Sequence, residues 1–222
     1  MHLIHTTLFA LHGKNAFNMT NNTTSAITEF ATLFPEFADH TELIIQLSGL
    51  LRKHVLRPGQ LLVTSGEEND RLYFIASGMI RGFYYTDTDT DTDTDTDTAI
   101  TSWFEAEGGY VAIPHSYFGG EPSRESIEVL EAGVAFSIAR NDLQRLQAIT
   151  PALGMVLRNI IVRYMVRMEH QLRALRMTTT RQRVAYFRHY FPSIYKRAAL
   201  KHIASFLNMT PQTLSRIRAE KD

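Results

Sequence analysis

Between about residues 54 and 138, apolar residues occur in short runs separated by turn-forming residues. The stretch HVLRPGQLLVTSGEENDRLYFIASGMIRGFYY predicts strands near residues 60–64, 71–76 and 79–85, which RPG, SGEEND and SG divide. Further strand-like runs are AITSWFEA, GYVAI, SIEVLEA and VAFSIA. Roughly eight short strands at this spacing predict a jelly roll (a double-stranded β-helix) or a barrel rather than a parallel α/β sheet.

Helical spacing of apolar residues precedes and follows this strand region. Residues 27–53 predict short helices interrupted at Pro35. From Arg140, the segment RNDLQRLQAIT predicts a short helix, and Pro151 suits the first turn of a longer helix that reaches about Met177. The chain is therefore predicted to be an α+β protein, with a strand-rich part followed by a helical C-terminal part.

The long helix carries two apolar stripes. One alternates steps of four and three residues, the a/d pattern of a coiled coil, and comprises Ile161, Met165, Met168, Leu172 and Leu175. The other, offset stripe comprises Leu153, Leu157, Ile160 and Tyr164. Two stripes favour burial against two neighbours, which are the strand region of the same chain and a second subunit. We therefore expect this helix to form a homodimer, the alternative being that its apolar residues only pack on the strand region.

The C-terminal stretch RAALKHIASFLNMTPQTLSRIRAEKD predicts two helices joined by a tight turn. The first helix has one apolar face, formed by Leu200, Ile203, Ala204 and Leu207. Asn208 and Met209 suit the turn, and Thr210 is a good N-cap for a second helix that begins at Pro211. This arrangement predicts a helix-turn-helix, whose second helix enters the major groove of double-stranded DNA by its N-terminal end. The alternative is an ordinary helical hairpin with a polar face.

The polar face of the second helix offers candidate DNA contacts. Gln can make two hydrogen bonds to adenine and Arg to guanine, so Gln212 and Arg216 are predicted to read bases. The remaining candidates at this interface, chiefly for phosphate contacts, are Thr210, Thr213, Ser215 and Arg218.

Charge is divided unevenly along the chain, although the formal net charge is zero. Residues 1–139 carry 7 Lys and Arg against 19 Asp and Glu, whereas residues 140–222 carry 16 against 4. A basic C-terminal region is typical of proteins that bind a polyanion, with nucleic acid first and an anionic membrane second. The alternative is a solvated set of Arg-rich helices.

Composition restricts the remaining classes. The 222 residues contain no cysteine, which excludes disulfides, thiolate zinc sites and cysteine nucleophiles. No apolar run approaches the ~18 residues of a membrane span, and no signal-peptide pattern is present. We therefore expect a soluble, cytoplasmic protein without a membrane partner.

These residues resemble the Crp/Fnr family of bacterial transcription regulators over roughly residues 27–220. The resemblance rests on RPGQLLVTSGEENDRLYFIASGMIRGFYY, PSRESIEVLE and the terminal IASFLNMTPQTLSRIR. It implies a leader (1–26) that is disordered or spurious, a cyclic-nucleotide-binding-like β-roll with short N-terminal helices (27–140), a linker and dimerisation helix (141–177) and a helix-turn-helix DNA-binding domain (178–222). It also implies a small-molecule effector.

The effector cassette departs from the family pattern. In cyclic-nucleotide-binding members, a Gly-Glu pair about ten residues before an Arg holds the ribose, and that Arg with a following Ser or Thr holds the phosphate. The resemblance places Arg124 and Ser126 in the cassette, but Pro114 stands where the ribose-binding Glu is expected. Glu121 lies only three residues before Arg124. We therefore expect cyclic-nucleotide selectivity to be lost, with Arg124 serving another anionic ligand or having no role.

Two other functions are open. Jelly rolls also form metal-dependent cupin enzymes, but those need clustered histidines, and the nine histidines here are scattered, with only His115 a candidate for the β-roll interior. No metal site and no catalytic residue is therefore expected. The second alternative is a ligand-sensing β-roll that does not bind DNA.

A Thr-Asp alternation from Thr86 to Thr98 falls where the family has a short hairpin turn. We expect an expanded loop, because loop-closure entropy grows by only about 0.6 kcal/mol per doubling of length. The alternative, weak Ca²⁺ binding, is disfavoured because the repeat lacks the Gly and bidentate Glu of a calcium loop.

Overall fold

The computed structural model describes residues 28, 30–37, 39–85 and 99–220. The chain divides after Gly49 into two compact units, each considered by itself below. The leader at residues 1–26 and the Thr-Asp alternation at residues 86–98 lie outside the described residues.

The first unit contains an aromatic cluster and one α-helix. The ring centroid of Phe30 lies 4.9 Å from that of Phe34 and 5.1 Å from that of Phe37. Phe37 ends a 3-10 turn that begins at Pro35, and helix α1 (Thr41–Ser48) follows. The predicted interruption at Pro35 is confirmed, because the chain leaves the helical residues 30–33 there before α1 begins.

The second unit begins with an antiparallel sheet of jelly-roll type. Among the described residues, hydrogen-bonded neighbours follow the order β1-β6-β3-β4, with β2 also paired to β6 and β5 to β3. The strands are β1 (Arg52–Leu56), β2 (Leu61–Val63), β3 (Arg71–Tyr85), β4 (Ala99–Ala106), β5 (Tyr110–Val111) and β6 (Ser126–Ala139).

β3 and β6 pair along most of their length and form the centre of the sheet. Their register shifts around Gly78, which has a φ of +95° and where a Cβ would lie 2.8 Å from the carbonyl oxygen of Glu131. The sequence predicted a turn here and therefore two strands in place of β3, which is wrong. A left-handed glycine bends a strand at a bulge without ending it. β6 likewise continues through Gly133, where the reason is close approach of β3, because a Cβ there would lie 2.0 Å from the carbonyl oxygen of Ser77.

An apolar core fills the inner face of the sheet. Its buried members are Leu56, Val63, Tyr73, Ile75, Ile80, Val111, Ile113, Ile127, Val129 and Ala135. Trp103 packs against this core, whereas its neighbour Phe104 belongs to a second core formed with the C-terminal helices. The alternation follows from strand geometry, in which successive side chains point to opposite faces.

Helices follow and interrupt the strands. They are α2 (Pro114–Gly119), α3 (Arg140–Ile149), α4 (Pro151–Arg176), α5 (Thr180–Tyr190), α6 (Pro192–Arg197), α7 (Leu200–Phe206) and α8 (Pro211–Ala219). The sequence missed α2 and α6, because six residues are too few to display helical periodicity. Within the part of the chain that the structure describes, no helix has the length and apolar character of a membrane span.

Candidate nucleic-acid interface and effector region

The turn between α7 and α8 has the geometry expected from its sequence. Asn208 is left-handed, with a φ of +51°, and the amide of Met209 donates to the carbonyl oxygen of Ala204 at 3.0 Å. The Thr210 hydroxyl accepts from the amide of Thr213 at 3.2 Å, and Pro211 occupies the first helical position of α8. The N-cap therefore satisfies one of the amides that a helix start leaves without a partner.

An arginine from α5 holds this turn from behind. The Arg183 guanidinium donates to the carbonyl oxygens of Leu207 at 2.8 Å and Asn208 at 3.3 Å. It thereby satisfies carbonyl groups at the end of α7. The sequence offered no signal for this role, because the partners lie 24 and 25 positions away along the chain.

The predicted base-reading residues are on the solvent side of α8. Gln212, Ser215 and Arg216 are exposed, while Leu214 and Ile217 are buried in the core behind them. Thr210 is exposed and Thr213 is half-buried beside it. Helix α8 thus exposes its polar side chains while its apolar face is held in the core.

Arg218 differs from the expectation that it points outward. Its Nη2 donates to the carbonyl oxygen of Tyr195 in α6 at 2.7 Å, and its guanidinium lies 4.3 Å from the centre of the Tyr195 ring. Arg218 is half-buried, and a hydrogen bond and a cation–π contact direct its guanidinium toward α6.

A groove of about 610 Å³ with a mixed apolar and charged lining runs beside the C-terminal half of α8. Exposed Arg181, Arg188 and Lys196 line it, and Arg181 pairs with Glu220 at 2.7 Å. These cations extend the positive surface from α8 onto α5 and α6.

The C-terminal helices share a core with the sheet. Phe104 of β4 is 1% exposed, and its ring centroid lies 5.6 Å from that of Phe206 in α7 and 6.1 Å from that of Phe187 in α5. The amide of Thr101 in β4 donates to Ser205 Oγ at 3.0 Å. The first helix of the candidate motif is therefore fixed directly on a strand of the β-roll.

Arg197 of α6 makes a second connection to the sheet. Its Nη1 donates to Glu107 at 2.6 Å, and its guanidinium also pairs with Glu131. The hydrogen bond from Arg197 lowers the pKa of the Glu107 carboxyl. One guanidinium thus joins α6 to the end of β4 and to β6.

Glu105 is a carboxylate held between the β-roll and α4. Its side chain is 6% exposed and pairs with Arg167 Nη2 at 2.8 Å. Burial raises the pKa of Glu105 to about 7, although the Arg167 charge opposes that shift. A Cβ at Gly109 would lie 2.2 Å from the Glu105 carboxyl carbon, so a larger residue there would require the Glu105 side chain to move.

The two predicted cassette residues differ in exposure. Arg124 is exposed, whereas Ser126 is buried and its Oγ accepts from the amide of Ser65 at 3.0 Å. The intervening Glu125 accepts from Trp103 Nε1 at 3.1 Å and from the Ser102 hydroxyl. The carboxylate between the two cassette positions along the chain therefore contacts Trp103, which packs on the inner core.

The other cassette positions and the candidate histidine are on the surface. Pro114 begins α2, and both Pro114 and Glu121 are exposed. His115 is also exposed on α2, so its predicted place in the β-roll interior is wrong, because that segment forms a short helix rather than a strand. Among the described residues, no three His, Asp or Glu side chains are grouped so as to hold a metal ion.

The two stripes of α4 have different surroundings. In the offset stripe, Leu153 and Ile160 are buried. In the a/d stripe, Met168 is half-buried and the other residues are exposed. Their exposed fractions are 47% for Ile161, 63% for Met165, 52% for Leu172 and 38% for Leu175. One stripe thus packs within the chain while the other leaves an apolar surface uncovered.

Part of the chain matches the sequence model of a known domain family. Residues 53–149 match the family model of the cyclic nucleotide-binding domain. No curated protein matches the chain by sequence.

Several solved structures have the same fold. FixK2 from Bradyrhizobium japonicum aligns with a TM-score of 0.60 and 15% identity, over 77% of this chain and 84% of that one. The c-di-GMP-responsive global regulator CLP of Xanthomonas campestris aligns with a TM-score of 0.62 and 13% identity, over 81% and 90%. A protein described as a transcriptional regulator of the Crp/Fnr family, from Eubacterium rectale, aligns with a TM-score of 0.61 and 15% identity, over 85% and 87%. Residues 53–149 thus match the model of the cyclic nucleotide-binding domain, and the chain shares the fold of these solved structures.

Proposed function

We propose that the protein is a dimeric, DNA-binding transcription regulator of the Crp/Fnr type. The observation that carries the proposal is the exposed polar face of α8, where Gln212, Ser215 and Arg216 follow a tight turn and a capped helix start. A helix-turn-helix presents its second helix to the major groove in this way. The basic C-terminal region supports the proposal, because positive charge supplies affinity for the phosphate backbone.

Base reading in this proposal is assigned to two side chains. Gln212 would pair with adenine and Arg216 with guanine, because these side chains can each make two hydrogen bonds to those bases. Both are exposed and lie about one helical turn apart on α8. Thr213 and Ser215 are assigned to phosphates, together with Arg181, Arg188 and Lys196 of the adjacent groove. Arg218 is left out of this set because of its contacts with Tyr195.

Dimerisation is proposed to cover the a/d stripe of α4. Exposed large apolar side chains in a continuous row are typical of an interface, and Ile161, Met165 and Leu172 form such a row. A two-fold dimer would present two α8 helices about 34 Å apart, the distance between successive major grooves on one DNA face.

The β-roll is proposed to have lost cyclic-nucleotide selectivity. Pro114 offers no carboxylate for a ribose hydroxyl, and Glu125 would repel a phosphate near Ser126. Any effector is therefore expected to have a different chemistry.

Arg216→Ala tests the proposal directly. Loss of a guanine contact should weaken binding to a selected DNA site by about 1–3 kcal/mol and relax the preference at one base position. The measurement is fluorescence anisotropy with labelled duplex DNA. The matched control is Arg145→Ala, which removes an equally charged side chain that is 79% exposed on α3.

Equal losses of DNA affinity in Arg216→Ala and Arg145→Ala would mean that positive charge alone, rather than a base contact, accounts for DNA binding. No measurable DNA binding by the intact dimer would instead favour a ligand-sensing β-roll without a DNA partner.

A further inference from the structure

The side of α4 that faces its own chain changes character along the helix. In the first half this side is apolar, and Leu153 and Ile160 are buried there. In the second half it is polar, because Arg163, Arg167 and Gln171 follow one another at intervals of four residues. Residues four apart lie on the same side of a helix. We call these three residues the polar row of α4.

The polar row contacts the end of β4 and the turn that joins β4 to β5. Arg163 Nη2 donates to the carbonyl oxygen of Gly108 in the turn at 3.1 Å. Arg167 Nη2 pairs with the carboxylate of Glu105 at 2.8 Å, and the Glu105 side chain is 6% exposed. Two cations of one helix thus hold two successive parts of the same hairpin.

Phe104 connects this contact to the C-terminal helices. Its carbonyl oxygen accepts from Gln171 Nε2 at 3.3 Å, and Gln171 is 4% exposed. The ring of Phe104 packs with Phe187 of α5 and Phe206 of α7. Hydrogen bonds depend on distance and direction, so buried polar contacts fix the relative position of two elements more narrowly than apolar packing alone. One residue therefore holds α4 through its main chain and the C-terminal helices through its side chain.

The polar row and the a/d stripe lie on different sides of α4. Met165 of the stripe is two residues from both Arg163 and Arg167. With about 3.6 residues per turn, positions two apart differ by about 200° around the helix, which is nearly opposite. A second subunit can therefore cover the stripe while the polar row stays on the turn.

We propose that the polar row is a positioning surface, which fixes the C-terminal helices relative to the dimer helix and so sets the spacing between two DNA half-sites. The inference rests on the proposed function, because it needs a dimer formed through the a/d stripe and recognition by α8. Two copies of α8 match a single spacing only if each keeps a fixed position relative to the dimer helix. Loss of the polar row should let α8 shift, so that several spacings are bound equally well.

Distances between spin labels in the full-length protein test the positioning. The chain has no cysteine, so Asn159→Cys on α4 and Ala219→Cys on α8 introduce two exposed labelling sites. Dilution with unlabelled protein restricts the measured distances to a single chain. This labelled parent should give one narrow distance distribution, and the pair of changes Arg167→Met and Glu105→Gln should give a broader or shifted one.

Arg173→Met is the matched control, because Arg173 has the same charge and the same helix but pairs with Glu169 of α4. Its distance distribution should equal that of the parent. Arg163→Met changes an exposed member of the row and should broaden the distribution. It decides the question if circular dichroism shows that the variant at the buried pair does not fold. The proposal is overturned if every folded variant of the row keeps the distribution of the parent.

The consequence for DNA is measured with palindromic duplexes whose half-sites are moved apart in steps of one base pair. The parent and Arg173→Met should prefer one separation, and the variants of the row should lose that preference. An unchanged preference in a variant with a broadened distance distribution would overturn the assignment to spacing. No binding of any duplex by the parent would instead reject DNA binding, because the distances measured without DNA decide separately whether the row positions the C-terminal helices.

Discussion

Individual side chains on α8 combine support of the helix with candidate base contacts in one short segment. Leu214 is fully buried and holds the helix in place, while Gln212 and Arg216 remain exposed. Patterning alone predicted this division, because three- and four-residue spacing separates the two faces of a helix. It did not predict the position of Arg218, whose contact with Tyr195 depends on packing between α6 and α8.

Glu105 provides a residue-scale prediction about pH. The pKa of Glu105 is about 7 in the folded chain, against an ordinary value near 4.5. Between these two pH values, the folded chain therefore holds a proton on Glu105 that the unfolded chain has released. This group therefore adds stability below about pH 4.5, and the contribution is lost as pH rises through about 7. The free energy of unfolding of the wild type, relative to Glu105→Gln, should fall from pH 5 to 7.5 and then level off.

Urea denaturation at a series of pH values measures this difference. Contributions from His202, whose pKa burial lowers to about 4, are common to both chains and cancel. Glu107→Gln is the control with the opposite sign, because the pKa of Glu107 is lowered and its stabilisation is lost as pH falls. A difference between wild type and Glu105→Gln that does not vary with pH would contradict the assigned environment.

At the scale of secondary-structure elements, the N-cap residues of two helices lead to a prediction about DNA affinity. Thr210 caps α8 and Thr179 caps α5, and each hydroxyl accepts from the amide three residues later. Replacing either by Ala should cost about 1 kcal/mol of stability in thermal unfolding. Only Thr210→Ala should also weaken DNA binding, because α8 carries the candidate base readers. An equal effect of Thr179→Ala on DNA affinity would indicate that the loss reflects folding rather than recognition.

Elements with strong local signals were predictable, and those fixed by distant contacts were not. Pro151 and Thr210 mark helix starts in the sequence, and α4 and α8 begin at or just after them. The local sequence around Gly78 predicts a turn, yet β3 continues through this residue because β6 pairs with β3 on both sides of it. The sequence does not distinguish Arg197 from the other basic residues, because its partners Glu107 and Glu131 are 90 and 66 positions away along the chain.

At the scale of the whole second unit, the sequence suggested a β-roll and a separate DNA-binding domain, but the structure joins them through one core. Phe104 connects β4 with Phe187 and Phe206 of the C-terminal helices. Serine and arginine contacts at Ser205 and Arg197 reinforce the same junction. A change in the β-roll would thus reach α7 and α8 by direct contact as well as through α4.

The shared core predicts that Phe104→Ala destabilises the sheet and the C-terminal helices together. Removal of this buried ring should cost about 3–5 kcal/mol, and unfolding should remain a single transition. Calorimetry with circular dichroism measures both quantities. Phe118→Ala, at a ring that is 71% exposed, is the control and should change stability by less than about 0.5 kcal/mol. Two separate transitions in the wild type would contradict the shared core.

The central claim is that a dimer reads DNA through two copies of α8. Selection of binding sites from random duplex DNA by the purified protein, followed by sequencing, tests it most directly. The account predicts a palindrome whose half-sites are centred about 10–10.5 base pairs apart, with adenine and guanine positions that become variable in Gln212→Ala and Arg216→Ala. Recovery of no preferred sequence, or of one that neither substitution changes, would contradict it.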